Sequence, residues 1–187
     1  MKIGIIGTHC SGKTSLIDKL YSKCQFANYN FLEEPIREVS RAGFKVNKES
    51  DNASQLAMLA CHLRNLEHEN FISDRTILDL YVYATTIPSV SKDVKDFIYK
   101  QLMENIDRYD YLFWCAPEFD MNADGFRETD VQWQQQVERS FAAGVEVLNK
   151  RKLKKSVKII RLTGETPERA ERVMQEVFNE QKDVCKK

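Results

Sequence analysis

No uninterrupted apolar run in this sequence approaches the 18 residues or so of a membrane-crossing helix, so no spanning segment is expected. There is no excess of either charge: Lys+Arg and Asp+Glu number 28 each, which leaves no overall field to draw the chain onto nucleic acid or a lipid surface. The five cysteines (Cys10, Cys24, Cys61, Cys115, Cys185) are odd in number, scattered and never in a C-x-x-C pair. A disulfide framework or a cysteine zinc site is therefore not expected, and a reducing cytoplasm is the expected setting. Histidine is scarce too; His62 and His68 stand six apart, not the four that would put two ligands on one helix face. The first apolar stretch, Ile3 to Ile6, contains a glycine and leads into a glycine-rich loop rather than a cleavage site, so it does not read as a secretory leader. Repeats and low-complexity linkers are also lacking.

What is present is enough apolar material, 42% of 187 residues, for one well-buried α/β domain across 1–187. Strand-length apolar runs at Met1–Ile6, Tyr29–Leu32, "NFISD", "YDYLFWCA" and "VKIIRL" alternate with helical patterns. Helices are expected over Lys13–Lys23, Ile36–Ala42, Asp51–Glu69, "RTILDLYVYA", "SVSKDVKDFIYKQLMENI" and Gln132–Lys152. A last one begins at Thr166 as N-cap with Pro167 in the first turn. In the third of these, Leu56, Leu59, Ala60, Leu63 and Leu66 recur at three and four, the pattern of an amphipathic helix. Strands alternating with helices predict a parallel sheet covered on both faces. Residues Pro117–Asp130 are polar, include a glycine and read as a loop.

Gly7-Thr8-His9-Cys10-Ser11-Gly12-Lys13-Thr14 satisfies G-x-x-x-x-G-K-[ST] and stands between a strand and a helix, as a phosphate-binding loop must. Its backbone N–H groups and the helix N-terminus form an anion nest, with Ser15 following in the first turn. In such a loop Lys13 bridges the β- and γ-phosphates of ATP and the Thr14 hydroxyl holds Mg²⁺. Cys10 has two readings, an inert filler or a thiol activated by the helix end and the lysine.

In open parallel sheets ligands bind beyond the carboxyl ends of the strands. The residues just past the second and third strands are Glu33 and Glu34, then Asp74 and Arg75. Alone, Glu33 and Glu34 read equally well as solvated loop acids, and Asp74 and Arg75 as a helix cap with a surface ion pair. Beside a phosphate loop, a carboxylate can take a proton from an attacking hydroxyl or orient a metal-bound water, and an arginine can clamp phosphate oxygens. The polar loop holding Arg127 has two readings, a lid that closes over a nucleotide and excludes water or a plain flexible loop. If Glu34 is a base, the acceptor is a hydroxyl. If the acceptor is a monophosphate, Arg37, Arg41 and Arg75 act as clamps instead. A GTPase is not expected, since no N-K-x-D base reader is present, and a ring-forming motor would need a longer chain.

With "GTHCSGKT", "EEP", "SDRTILDLYVYA" and "DGFRETD" in order, the chain resembles the P-loop nucleoside and nucleotide kinases. It is most similar to the small ATP-binding domains related to ribosylnicotinamide kinase, which are frequent in phage genomes. The resemblance implies a P-loop NTPase three-layer α/β/α sandwich with a five-stranded parallel sheet. It implies ATP and Mg²⁺, with Glu34 as general base, Asp74 as a ligand of the metal's water, Arg75 as phosphate clamp and Arg127 as lid arginine. Gly164 and Arg169, in "LTGETPER", would lie near adenine, and Tyr83 would join the acceptor site. The sequence departs from deoxynucleoside kinases in having no tryptophan shortly after "EEP" and a lone lid arginine before Arg139. A small nucleoside or nucleotide is the expected partner, and the oligomeric state is left open, a homodimer being one option. "KRKLKK", Lys150–Lys155, leaves a hydroxyl on nucleic acid as an alternative acceptor, and a non-catalytic ATP-binding regulator is the other alternative.

Overall fold

A computed structural model describes residues 1–119, 130–150 and 157–179. Five strands, β1 (Lys2–Ile6), β2 (Asn30–Leu32), β3 (Phe71–Asp74), β4 (Tyr111–Cys115) and β5 (Lys158–Leu162), form one parallel sheet in the order β2-β3-β1-β4-β5. The helices are α1 (Lys13–Tyr21), α2 (Pro35–Arg41), α3 (Asn52–Asn65), α4 (Ile77–Thr86), α5 (Lys92–Asn105), α6 (Val131–Lys150) and α7 (Thr166–Met174). Alternate residues of β1 supply the two faces of the sheet. Ile3 and Ile5 pack with Leu16 and Leu20 of α1 and Val173 of α7. Ile6 joins a second core with Val39, Leu59, Leu78, Ile98 and Phe141, drawn from α2 to α6. The three layers expected from the alternation of strands and helices are present, and no described helix is long and apolar enough to cross a membrane.

Three local readings change. The last helix is capped by Glu165 rather than Thr166, because Glu165 accepts from the backbone of Glu168 while the Glu168 carboxylate accepts from Glu165 N. Arg75 stands outside α4: its φ of 74° is left-handed, and Thr76 caps the helix behind it. Helix α3 ends at Asn65, and its buried residues are Ser54, Gln55, Met58, Leu59, Cys61, His62 and Asn65, whereas Leu56 is exposed. Of the expected stripe only Leu59 and Leu66 are buried, while Leu56 and Ala60 are exposed; the buried face is rotated toward Gln55, Met58 and His62, which face the site.

Parallel register assembles the rim. Ile5 of β1 stands beside Asp74 of β3, and Leu32 of β2 beside Ser73. Continuing that second pairing by two residues brings Glu34 to Arg75. Gly4 lets α4 start against β1, since a Cβ there would lie 2.3 Å from Thr76 Cγ2. This close approach delivers Asp79, one turn into α4, to the start of the loop after β1.

Candidate active site

The loop between β1 and α1 turns into its helix at Gly12, whose φ of 77° is left-handed and suits glycine. The ammonium of Lys13 is buried and donates to Gly7 O (3.1 Å) and Thr8 O (2.5 Å), with Ser11 Oγ at 3.4 Å. Burial, then Arg75, holds its pKa below the ordinary lysine value, and the carboxylates of Asp74, Glu34 and Asp79 oppose that shift. Thr14 Oγ1 donates to Asp74 Oδ2 at 3.0 Å. Asp74 Oδ1 is buried without a hydrogen-bond partner, and burial together with the nearby Glu34 raises its pKa. A spare hard oxygen beside a hydroxyl fits a magnesium ion whose remaining ligands are phosphate oxygens and water. Among the described residues no cluster of three or more His, Cys, Asp or Glu could hold a metal by itself.

Arg75 is gripped on three sides. Its Nε donates to Glu34 Oε1, its Nη1 to Gly7 O at 3.3 Å, and its guanidinium lies 4.7 Å from the Tyr83 ring centroid. Fully buried Asp79, which the sequence reading passed over, stands 3.7 Å from Arg75 Nη1. Glu34, Arg75 and Asp74 border the phosphate cavity, together with His9, Cys10, Ser11 and Thr14.

A second cavity, a slot, opens on the other side of Glu34 and Arg75. Helix α3 lines it with Gln55, Met58 and His62, which share one face at spacings of three and four. Tyr83 and Trp133 complete its aromatic wall, and His9 borders both cavities. The His9 ring stacks on Trp133 (5.1 Å, 29°), Tyr83 Oη accepts from His9 N at 2.7 Å, and His9 O accepts from Gln134 Nε2 at 2.8 Å. Helix α6 is thereby bound to the phosphate loop. Gln55 is buried, and its Oε1 has no hydrogen-bond partner. Of these slot residues only Tyr83 and His9 had been singled out from the sequence.

The structure divides the expected set of cations. Arg37 and Arg41 border a different cavity with Tyr21, Phe31 and Glu33, on the α1 side of Glu34, and do not line the slot. Gly164 and Arg169 do meet: Arg169 Nε donates to Gly164 O at 2.7 Å. The same guanidinium reaches Ser11 O at 2.7 Å and Ala116 O at 3.1 Å, is 1% exposed, and lies 4.6 Å from the Phe119 centroid. It buckles the phosphate loop to the residues after β4 and β5. Arg169→Met should lower unfolding stability by ~3 kcal/mol or more, because three carbonyls lose their donor, as measured by urea unfolding. Cys10 is buried at φ 55°, while the Ser15 side chain is exposed. Arg127 and residues 151–155 of the basic run lie outside the described residues; Lys150 pairs with Glu146.

Two histidines are held neutral. Burial, then Arg75, lowers His9 to about 4 and His62 to about 3. Since an unfolded histidine takes its proton near 6.5, the unfolded chain binds more protons below that pH and these rings cost stability on acidification. Asp79, pushed up to about 6 by burial, acts in the opposite sense, as does Asp74. Against the wild type, His62→Gln should therefore retain ~2–3 kcal/mol more of its stability on going from about pH 7 to about pH 4.5, measured by chemical unfolding at each pH.

A parallel five-stranded sheet, with a G-x-x-x-x-G-K-T loop after its central strand and acidic residues on the adjoining strand ends, defines the P-loop NTPase fold. The family profile described as "AAA domain" matches residues 2–181, and the chain belongs to that family. No curated protein matches it. Among solved structures it is similar to deoxyadenosine kinase from M. mycoides with dCMP and dCDP, at a TM-score of 0.67 and 16% identity, covering 96% of this chain and 100% of that one. It is similar to NadR in complex with NR, at 0.71 and 19%, covering 95% of this chain and 51% of that one. YorR from Bacillus subtilis, bound to phosphorylated GDP, matches at 0.60 and 13%, covering 97% and 98%. At such identities the likeness is one of fold.

Proposed function

We propose that this protein transfers the γ-phosphoryl group of ATP to the hydroxyl of a nucleoside. The observation that carries the reading is the position of Glu34, which borders the phosphate cavity on one side and the slot on the other. An acceptor hydroxyl between the two would lose its proton to Glu34 as its oxygen bonds to the γ-phosphorus, while the bond to the leaving ADP oxygen breaks. Lys13 would follow the moving phosphoryl, and the loop amides would hold the remaining phosphates. Thr14 and Asp74 would hold Mg²⁺, which when bound neutralises charge on the phosphate oxygens. The solved structures of similar fold, named for deoxyadenosine kinase and for NadR with NR, favour this class of acceptor.

The slot supports a neutral acceptor over a monophosphate. Arg75 is the only cationic side chain among its described lining residues, and Glu34 and Asp79 already neutralise it. A monophosphate would bring about two negative charges with no cation left to meet them. Gln55, with a buried carbonyl oxygen still seeking a donor, suits the hydrogen-bonding edge of a base in the slot beside Tyr83 and Trp133.

The test is ADP release from Mg²⁺·ATP in the presence of ribo- and deoxynucleosides, their monophosphates, ribosylnicotinamide and DNA bearing free hydroxyl ends. Turnover with a nucleoside is expected. Turnover with monophosphates alone would overturn the acceptor assignment. Tight ATP binding with no turnover across the panel would overturn phosphoryl transfer and make the chain an ATP-binding regulator.

A further inference from the structure

Asp79 makes more contacts than a helix cap requires. Its Oδ2 does the capping: it accepts from Thr76 N at 2.9 Å and Thr76 Oγ1 at 3.0 Å, while Thr76 Oγ1 accepts from Leu78 N at 3.2 Å. Its Oδ1 turns away from α4, accepting from Gly7 N at 3.1 Å and facing Arg75 Nη1 at 3.7 Å. Arg75 in turn donates to Gly7 O at 3.3 Å. One carboxylate and one guanidinium thus hold both polar groups of Gly7, closing a ring that joins the first glycine of the phosphate loop to the arginine beside Glu34. The ring costs energy to maintain. Arg75 sits at φ 74°, a strained conformation for a non-glycine residue, and Asp79 is 0% exposed. Such strain persists only where surrounding contacts over-determine it.

We propose that Asp79 is a positioning residue that locks the phosphate loop and the Arg75 clamp into one rigid unit, setting the distance between the donor phosphates and the acceptor slot. Its kinetic consequence rests on the phosphotransferase reading; the lock itself does not. Asp79→Asn keeps the size and the capping oxygen but removes the charged acceptor of Gly7 N and the charge facing Arg75 Nη1, with Glu34 still on Nε. Thr76→Val is the control, removing the hydroxyl of the cap while leaving Gly7, Arg75 and Asp79 in place.

Two readouts apply to the whole protein. The first needs no activity: NMR exchange of the Arg75 Nε–H, assigned by its loss in Arg75→Lys, together with the Gly7 amide. In the wild type both signals should be protected and lose protection together. In Asp79→Asn the Gly7 amide, which loses its charged acceptor, should exchange about tenfold faster or more; the Arg75 Nε–H, still bonded to Glu34, should quicken less, and in Thr76→Val neither should change. The second readout is kinetic. Asp79→Asn should lower kcat/KM for the acceptor by about 10–100-fold, the cost of a misplaced clamp, with a much smaller change in ATP affinity.

Gly7 amide exchange unchanged in Asp79→Asn, or equally accelerated in Thr76→Val, overturns the lock whatever the acceptor panel shows. Should Asp79→Asn fail to fold, the wild-type exchange decides, since a Gly7 amide exchanging like that of an exposed loop also overturns it. Failure to find an acceptor would sink the phosphotransferase reading and leave the exchange result standing.

Discussion

Lys13→Ala is expected to reduce phosphoryl transfer by at least ~10²–10³-fold, the scale on which a preorganised donor to a developing anionic centre is lost. Two effects combine. The variant has no cation to follow the γ-phosphoryl, and it also removes the donor to Gly7 O and Thr8 O, which help shape the loop. Lys13 further supplies positive charge to Asp74, Glu34 and Asp79, so its removal leaves an excess of buried negative charge where a polyanion must bind. ATP affinity should therefore fall along with kcat, a pattern that separates Lys13 from residues acting on the acceptor alone. Lys13→Arg should fail as well, because a planar fork cannot replace a compact ammonium at 2.5–3.1 Å from two loop carbonyls. Steady-state turnover, ATP binding by calorimetry and thermal melting together make the test. A kcat within tenfold of the wild type in a folded Lys13→Ala would overturn the role.

The phosphate half of the site was legible in the sequence because it is local. Gly7 to Thr14 is one contiguous motif, and Asp74 and Glu34 follow from a rule about strand ends that needs only the order of the elements. Of the slot beyond Glu34, Arg75 and His9 only Tyr83 was legible, through resemblance, because the rest is built across the chain: Gln55, Met58 and His62 on α3 and Trp133 on α6 meet Tyr83 on α4 only once the sheet has brought the helices together. Helical spacing does mark 55, 58 and 62 as one stripe. Amphipathic logic, however, gives polar residues to solvent, and here Gln55 and His62 are 1% and 3% exposed. Thr76 and Asp79 have the spacing of a capping box, which hides the second task of Asp79 because a cap explains its presence. Arg169 shows the converse: resemblance sets it near a base, while its guanidinium is spent on carbonyls of residues 11, 116 and 164 that no spacing rule connects to it.

Glu34→Gln should separate a base from a scaffold. The amide keeps the shape and one acceptor oxygen for Arg75, while Asp79 still stands 3.7 Å from that guanidinium, so the clamp should largely survive. What the variant lacks is a site for the proton of an attacking hydroxyl, and kcat should drop by about 10²–10⁴-fold, the usual weight of general-base catalysis. ATP binding should hold or tighten, because one negative charge near the γ-phosphate is gone; a parallel loss of ATP affinity would mean that the loop had been damaged instead. The pH profile adds a readout that packing alone would not move. The wild type should show an acid limb in kcat/KM for the acceptor, as protonation disables the base, and the glutamine variant should lose that limb along with its rate. Glu34→Asp should recover part of the rate while keeping the limb, since it retains a carboxylate on a shorter arm. Near-normal turnover in Glu34→Gln would mean that the acceptor needs no base, as a monophosphate would not. The arginines bordering the cavity on the α1 side of Glu34, Arg37 and Arg41, would then become the residues to test.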